Sequence, residues 1–425
     1  MVLREKRSVS LFGLLLCVVQ QSFAFFPINI FRPWDINLRP PRWHDTKLQA
    51  TLWSENSLQA HGYNADGNQV NVMQLWSRTQ DALAMLKGFG PSSQITQFLE
   101  NDLMSPTDNG VRGHVAYTGK FKAKGYGLNF RYHAPHNITL GFYFPIYDMS
   151  LKKVQYVDQT ALYDVPMSQE NLKVRQLLTS RLQQVVNMFD PKLNLGDWSR
   201  AGFGDVTFMA EWWRLFKQGR PILKTVSLQA RGGMIFPSGV RVNDNDILSI
   251  PFGCDGSVGM IFGGGINLNW FSVFHGGIDV EFLQFFGNTR NRRIKIQQEQ
   301  TDFLLLAKAK AHKDFGFIQR FNLYLEAYQV WHGLSARATY QFWKESDSKL
   351  TLCTNEFSND IANTAESLQE WTMHQAIFQI SYDFQTDVSD RSHFKPQISL
   401  FYKFPFNGQR AILLNTVGAM LSLSF

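Results

Sequence analysis

Apolar and polar side chains alternate, residue by residue, in segments spread over most of this chain. Val417, Ala419, Leu421, Leu423 and Phe425 share one parity, while Gly418, Met420, Ser422 and Ser424 take the other. The same rhythm runs through 398–404, 376–384, 226–236 and 138–146. A period of two is the spacing at which strand side chains reach opposite faces of a sheet. The pattern predicts strands at 111–123, 125–134, 137–147, 203–216, 222–237, 256–270, 273–287, 296–311, 316–345, 371–385, 393–404 and 410–425. That makes twelve, with 316–345 taken as one strand bent near Gly333. Fourteen is the alternative, if Leu48–Tyr63 adds a strand and another boundary moves.

Connection lengths agree with twelve. Long connections fall at 148–202, 238–255, 288–295 and 346–370, with short tips at Ala123–Lys124 and Asn407–Gly408 on the same side. Short turns at 134–136, 217–221, 271–272, 312–315 and 386–392 alternate with them. Short turns on one side and long loops on the other are the habit of a transmembrane barrel. Most predicted strands also accommodate the roughly 9–11 residues a tilted spanning strand needs.

Composition narrows the class. Only 18% of residues are charged, below the roughly 25% of ordinary soluble domains. Mean hydropathy is nevertheless -0.21, too low for a bundle of spanning helices. Alternating lipid-facing and lumen-facing residues average to such a value. The 36 Phe suit an outer apolar band with aromatic girdles. The expected fold is therefore all-β, a single transmembrane antiparallel β-barrel over 111–425.

The N-terminus reads as an export leader. Arg4, Lys6 and Arg7 precede the apolar run 11–19, and Ser22-Phe23-Ala24 supplies small residues for cleavage after Ala24. The run is too short to span a bilayer. Residues 25–110, with Pro33, Pro40 and Pro41, read as an N-terminal extension that plugs the lumen or docks at its mouth. Leu172, Leu177, Leu178, Leu182, Val185 and Val186 recur at helical spacing and predict a helix in the long connection 148–202.

The last ten residues resemble the C-terminal signature of bacterial outer-membrane proteins. That resemblance implies an assembly signal at Phe425, read by the barrel-assembly machinery, and an outer-membrane location. The extension before the barrel, with the strand-opening Gly202-Phe203-Gly204-Asp205 after a helix-bearing connection, resembles the long-chain fatty-acid and aromatic-hydrocarbon transporter family. That family has fourteen strands and a lumenal N-terminal hatch. No motif transfers its ligand residues, so none is assigned.

Charge points inward. With the more apolar parity outward, the lumen candidates are Arg112, Lys120, Lys122, Arg131, Lys224, Arg231, Arg337 and Lys403, with Glu211, Asp279, Glu281, Glu326 and Asp383. At mid-depth in lipid an Arg or Lys costs about 2–4 kcal/mol, so these groups wet a pore or pair with one another. The net charge of +7 mildly favours anionic solutes. No nucleic-acid module accompanies it.

Other chemistry is thin. Gly202-Phe203-Gly204-Asp205 opens a strand rather than a helix, which excludes a phosphate cradle. Gly263-Gly264-Gly265 lies within a strand and marks a bend or close packing. Asn243-Asp244-Asn245-Asp246 lacks the distant Glu of a calcium loop. His114, His275, Asp279 and Ser257 have no spacing that asks for catalysis, so no catalytic, cofactor or metal residue is assigned. Cys254 and Cys353 remain after cleavage, either as a disulfide or as two free thiols. The expected function is an outer-membrane channel or uptake protein passing small anionic or apolar solutes. The alternative is a structural or surface-interaction barrel, and the partners are outer-membrane lipid and a small solute.

Overall fold

The computed structural model describes residues 47–103, 113–160, 169–384 and 394–425. The leader, Arg112 and the turn at 386–392 fall outside them. Twelve antiparallel strands close on themselves: β1 (Leu48–Tyr63), β2 (His114–Ala134), β3 (Ile138–Asp158), β4 (Val206–Lys217), β5 (Leu223–Phe236), β6 (Gly259–Trp270), β7 (Phe274–Phe285), β8 (Ile318–Trp331), β9 (Leu334–Glu345), β10 (Trp371–Asp383), β11 (Lys395–Gln409) and β12 (Ala411–Ser424). Each pairs with its neighbours in chain order, and β1 pairs with both β12 and β2. Closure leaves no free barrel edge, as a sheet in lipid requires.

Outward positions form an apolar band. Phe130, Phe142, Ile266, Leu323, Phe378 and Leu400 are all exposed. An aqueous surface would not carry so continuous a band. Among the described residues no helix is long and apolar enough to cross a membrane, so crossing falls to the strands.

The count of twelve agrees with the sequence pattern, but four assignments differ. Residues 111–134 do not break at Ala123–Lys124. These two residues lack turn chemistry, and β2 runs through them for 21 residues. The stretch 316–345 is two strands, reversed at His332 and Gly333, whose φ angles of 41° and 93° belong to a tight turn. The stretch 296–311 is not a barrel strand. Leu48–Tyr63, placed by sequence in the N-terminal extension, is the strand that closes the barrel. Consequently 312–315 is no turn of the short-turn rim.

The predicted short turns at 134–136, 217–221 and 271–272, and the new one at 332–333, fall at one rim, with Phe425. The opposite rim carries the long connections 64–113, 159–205, 237–258, 286–317 and 346–370, and the tight reversal at Arg410. β2 and β3 project past this loop rim, paired out to Val115 and Asp158. The five connections pack there into a cap. Helices α1 (Gln169–Leu178) and α2 (Leu182–Phe189) divide the predicted helix, and Leu178, Leu182, Val185 and Val186 are buried. Strands Asn288–Arg293, Lys308–Asp314 and Lys349–Leu352 add a small sheet. The first connection buries Met73, Leu83, Met85 and Leu86 in the same core. Asn71 pins it to β2, bonding both the carbonyl (3.2 Å) and the amide (3.0 Å) of Gly119.

Candidate functional site

The barrel interior is filled at mid-height by paired charges. Arg231 on β5 donates to both oxygens of Asp279 on β7, at 2.6 and 2.7 Å, and to Glu281 at 2.8 Å. Arg320 on β8 reaches Glu281 at 3.0 Å. Gln229 and Asn322 supply further donors to Asp279. Four more groupings lie around this centre. Arg337 pairs with Glu326 at 3.0 Å, and Arg131 with Glu211. Lys403 pairs with Glu55 at 2.6 Å. Asp383 accepts from Gln329 and Gln397. Apart from half-buried Glu55, these ions are almost wholly removed from solvent, where each survives only with a partner. Two apolar residues on inward parity, Ile377 and Phe401, pack with Trp53 and Met420 along the opposite wall.

The structure thus brings Arg131, Arg231, Arg337, Lys403, Glu211, Asp279, Glu281, Glu326 and Asp383 inside. Three of the sequence-derived lumen residues do not join them. Lys120 and Lys122 have the outward parity of β2, on the part of the strand that projects beyond the rim, and are exposed. Lys224 has the outward parity of β5, beside the turn rim, and is exposed. Arg112 lies outside the described residues. Arg320 and Glu55 complete the pairs but were not among the candidates. Their inward parity was the signal available.

Between this plug and the cap lies a cavity of about 260 Å³. Its floor comes from the loop ends of the strands, with Phe285, Ile318, Trp343, Trp371 and Ile412. Its roof comes from the cap, with Trp76 and Phe303, whose rings lie 4.7 Å apart, and with Ile250 and Leu305. Charges at its side tie the connections together. Asp255 accepts from Arg290 at 2.8 Å and from Arg292 at 2.7 Å. Burial pushes the Asp255 carboxyl upward, but the two guanidiniums outweigh it and hold the group below its ordinary range. Arg293 and Lys308 both reach Asp190, at 2.7 and 2.9 Å.

The Gly-Phe-Gly-Asp stretch has a structural task. Gly204 passes so close to Tyr147 and Pro145 that a Cβ would lie 2.5 and 2.9 Å from them. The Asp205 carboxylate then accepts from the amides of Gly239 (2.7 Å) and Cys254 (2.6 Å), fastening the connection 237–258 to the start of β4. Burial pushes Asp205 up to about 6, more than those two amides lower it.

Asn243-Asp244-Asn245-Asp246 is likewise spent on protein contacts. Arg290 takes Asp244, Asn243 donates to Asp246 at 2.6 Å, and Lys308 donates to Asn245 at 3.0 Å. Cys254 is buried and Cys353 exposed, and both are free thiols. Asp279 faces Arg231 rather than a histidine, and the Ser257 hydroxyl accepts from Asn288 at 2.7 Å.

No protein-family model matches the chain, nor does the sequence of any curated protein. Solved structures similar to it are outer-membrane barrels. One is an outer membrane channel from Pseudomonas putida F1, with 10% identity over 93% of this chain and 99% of that one, at a TM-score of 0.46. Another is the beta domain of the Bordetella autotransporter BrkA, with 8% identity over 90% and 100%, at 0.34. A third is the Pseudomonas putida toluene transporter TodX, with 9% identity over 95% of each chain, at 0.30.

Proposed function

We propose that this chain is a gated channel of a bacterial outer membrane, which admits small solutes through a capped mouth. The observation that carries this reading is the aromatic-walled cavity between the cap and the charge-filled lumen. The solute would rest there, and passage would require the charge pairs below to part. The loop rim would then face outward, with Phe425 and the short turns in the periplasm. The apolar band supports membrane insertion, and the closed strand pairing supports a barrel that stands alone in lipid. Although the chain is basic, the described lumen pairs of Arg131, Arg231, Arg320, Arg337 and Lys403 balance one another, so charge gives little reason to favour anions at mid-height.

The experiment is conductance in planar bilayers, comparing the wild-type chain with an Arg231→Ala, Glu281→Ala double variant. The wild type should show rare, small openings, and the variant larger and more frequent ones. A folded variant that never conducts would overturn the reading. The filled lumen favours one competitor, a non-conducting barrel that presents its cap to a partner, and silence from both proteins would support it.

A further inference from the structure

Two lining residues of the cavity beneath the cap, Lys313 and Glu345, are each other's chief opposite charge, and no salt bridge joins them. Lys313 shares the parity of buried Ala309 and Ala311 on strand Lys308–Asp314, so alternation turns it toward the interior. Its ammonium lies 4.9 Å from the Phe315 ring, and no carboxylate of the described residues is within ion-pair distance of it. Glu345, at the loop end of β9, accepts from the indole N–H of Trp371 at 2.8 Å and faces Lys313 as its opposite charge, without a salt bridge between them.

Neighbouring charges are already engaged. Arg290 and Arg292 hold Asp255, Arg293 holds Asp190, and Asp302 accepts from the amide of Ser367 at 2.6 Å. Asp246 is held by Asn194 and Asn243, and both oxygens of Asp302 are held by backbone amides, so a guest entering between Lys313 and Glu345 meets one charged donor and one acceptor, set in apolar walls. Burial lowers the Lys313 pKa more than Glu345 raises it, so a further counter-ion placed beside it is worth more than it would be in water.

Size and surface narrow the guest. A cavity of about 150 Å³ accepts benzene in a well-studied engineered protein. The 260 Å³ here leaves room for a ring with a few further heavy atoms, but not for a long alkyl chain. Flat faces of Trp76, Phe303, Trp343 and Trp371 suit an aromatic ring.

We propose that the cavity binds a small aromatic acid that also carries a hydrogen-bond donor, its carboxylate meeting Lys313 and its donor meeting Glu345. This rests on the cavity being the solute site of the barrel, and it adds the class of solute.

The test is equilibrium binding to the full chain in detergent micelles, read by quenching of tryptophan fluorescence, with 4-hydroxyphenylacetate as the probe. Quenching should saturate. Phenylacetate, which lacks the hydroxyl, and 4-methylphenol, which lacks the acid, should each bind about tenfold more weakly. Lys313→Gln should erase the preference over 4-methylphenol, and Lys313→Arg should keep it. Glu345→Gln should shrink the preference over phenylacetate. Equal affinities of the three probes for the wild-type chain would overturn the assignment, as would a folded Lys313→Gln variant that keeps the full preference. If a variant fails to fold, the three-probe comparison on the wild type decides alone. Because no membrane is involved, the result separates from the channel reading. Selective binding without conductance keeps the site and removes the channel, and conductance without selectivity does the reverse.

Discussion

Arg231 and Asp279 meet across a strand that separates them. Arg231 sits on β5 and Asp279 on β7, yet the guanidinium forms two bonds of 2.6 and 2.7 Å to the carboxylate. The strand between them, β6, places Gly263 and Gly265 on the inward face at the same height. With no side chain there, the arginine lies over the sheet and reaches the next strand but one. These two glycines therefore open a window for a charge pair, which a sequence reading as bend or close packing only half describes.

Filling that window should break the reach. A Cβ at Gly265 would stand 2.8 Å from the Gln229 amide nitrogen and 2.6 Å from the Ile278 carbonyl. Gly265→Val should lower stability by about 1–3 kcal/mol through overpacking alone. Urea unfolding of the folded barrel in micelles measures it, and an unchanged midpoint would count against the window.

Breaking the pair should cost more than replacing it. Arg231→Ala leaves Asp279 buried without its main partner, a loss of about 3–5 kcal/mol. A double variant, Arg231→Met with Asp279→Leu, removes both charges and should lose markedly less than the sum of the two single changes. A double-mutant cycle on the same unfolding assay supplies the comparison.

Two aspartates in the cap should respond to pH in opposite directions. Asp205 has a folded pKa raised to about 6, so its contribution favours the fold at low pH and is lost as pH rises from about 4 through 6. The span corresponds to about 3 kcal/mol at most. Asp255 is held low, so its contribution is present above about 4 and is lost as pH falls through the lowered value. Limited proteolysis of 237–258 should thus become easier between pH 4 and 7 in the wild type. In Asp205→Asn that rise should flatten. A flat profile in the wild type would refute the assignment for Asp205.

Residue 253 should tolerate nothing larger than glycine. A Cβ there would fall 2.2 Å from the Asp205 carboxyl carbon. Gly253→Ala should displace the fastening of 237–258 and raise its cleavage rate by about tenfold or more, while the barrel strands keep their resistance. Equal cleavage of Gly253→Ala and the wild type would show that this contact does not hold the connection.

Removing the last residue should weaken closure. The Phe425 carbonyl accepts from the amides of Lys47 (2.7 Å) and Leu48 (3.2 Å), its own amide donates to Leu48 (2.8 Å), and its ring packs against Phe394 at 5.5 Å. A chain ending at Ser424 loses these contacts at the seam between first and last strands. Its heat-modifiable, compact band on a cold detergent gel should diminish relative to the wild type.

Where the pattern was regular, sequence was sufficient. From Val226 to Phe236 every second residue faces lipid because the pleat leaves a strand no other choice. Boundaries were harder. Between Phe121 and Tyr126 the apolar residues change from odd to even positions, so one strand reads as two, and the tight turn at His332 and Gly333 looks like a bend when only one glycine marks it. The merged 316–345 and the omitted β1 offset the split of 111–134 and the surplus at 296–311, so the total agreed although its parts did not.

The sequence by itself determined that the chain alternates, that its apolar parity faces outward, and that its long connections share one rim. Each is a local property, set by the period of a strand or by the length of a connection. Only the tertiary structure decided which charges meet, since Arg231 and Asp279 are 48 residues apart and joined by register across a strand that has glycine at their height. It also decided that residues 64–103 roof the barrel instead of preceding it, and that Lys313 and Glu345 face one cavity. Those facts depend on how five separate connections pack against one another, and no short-range pattern encodes that.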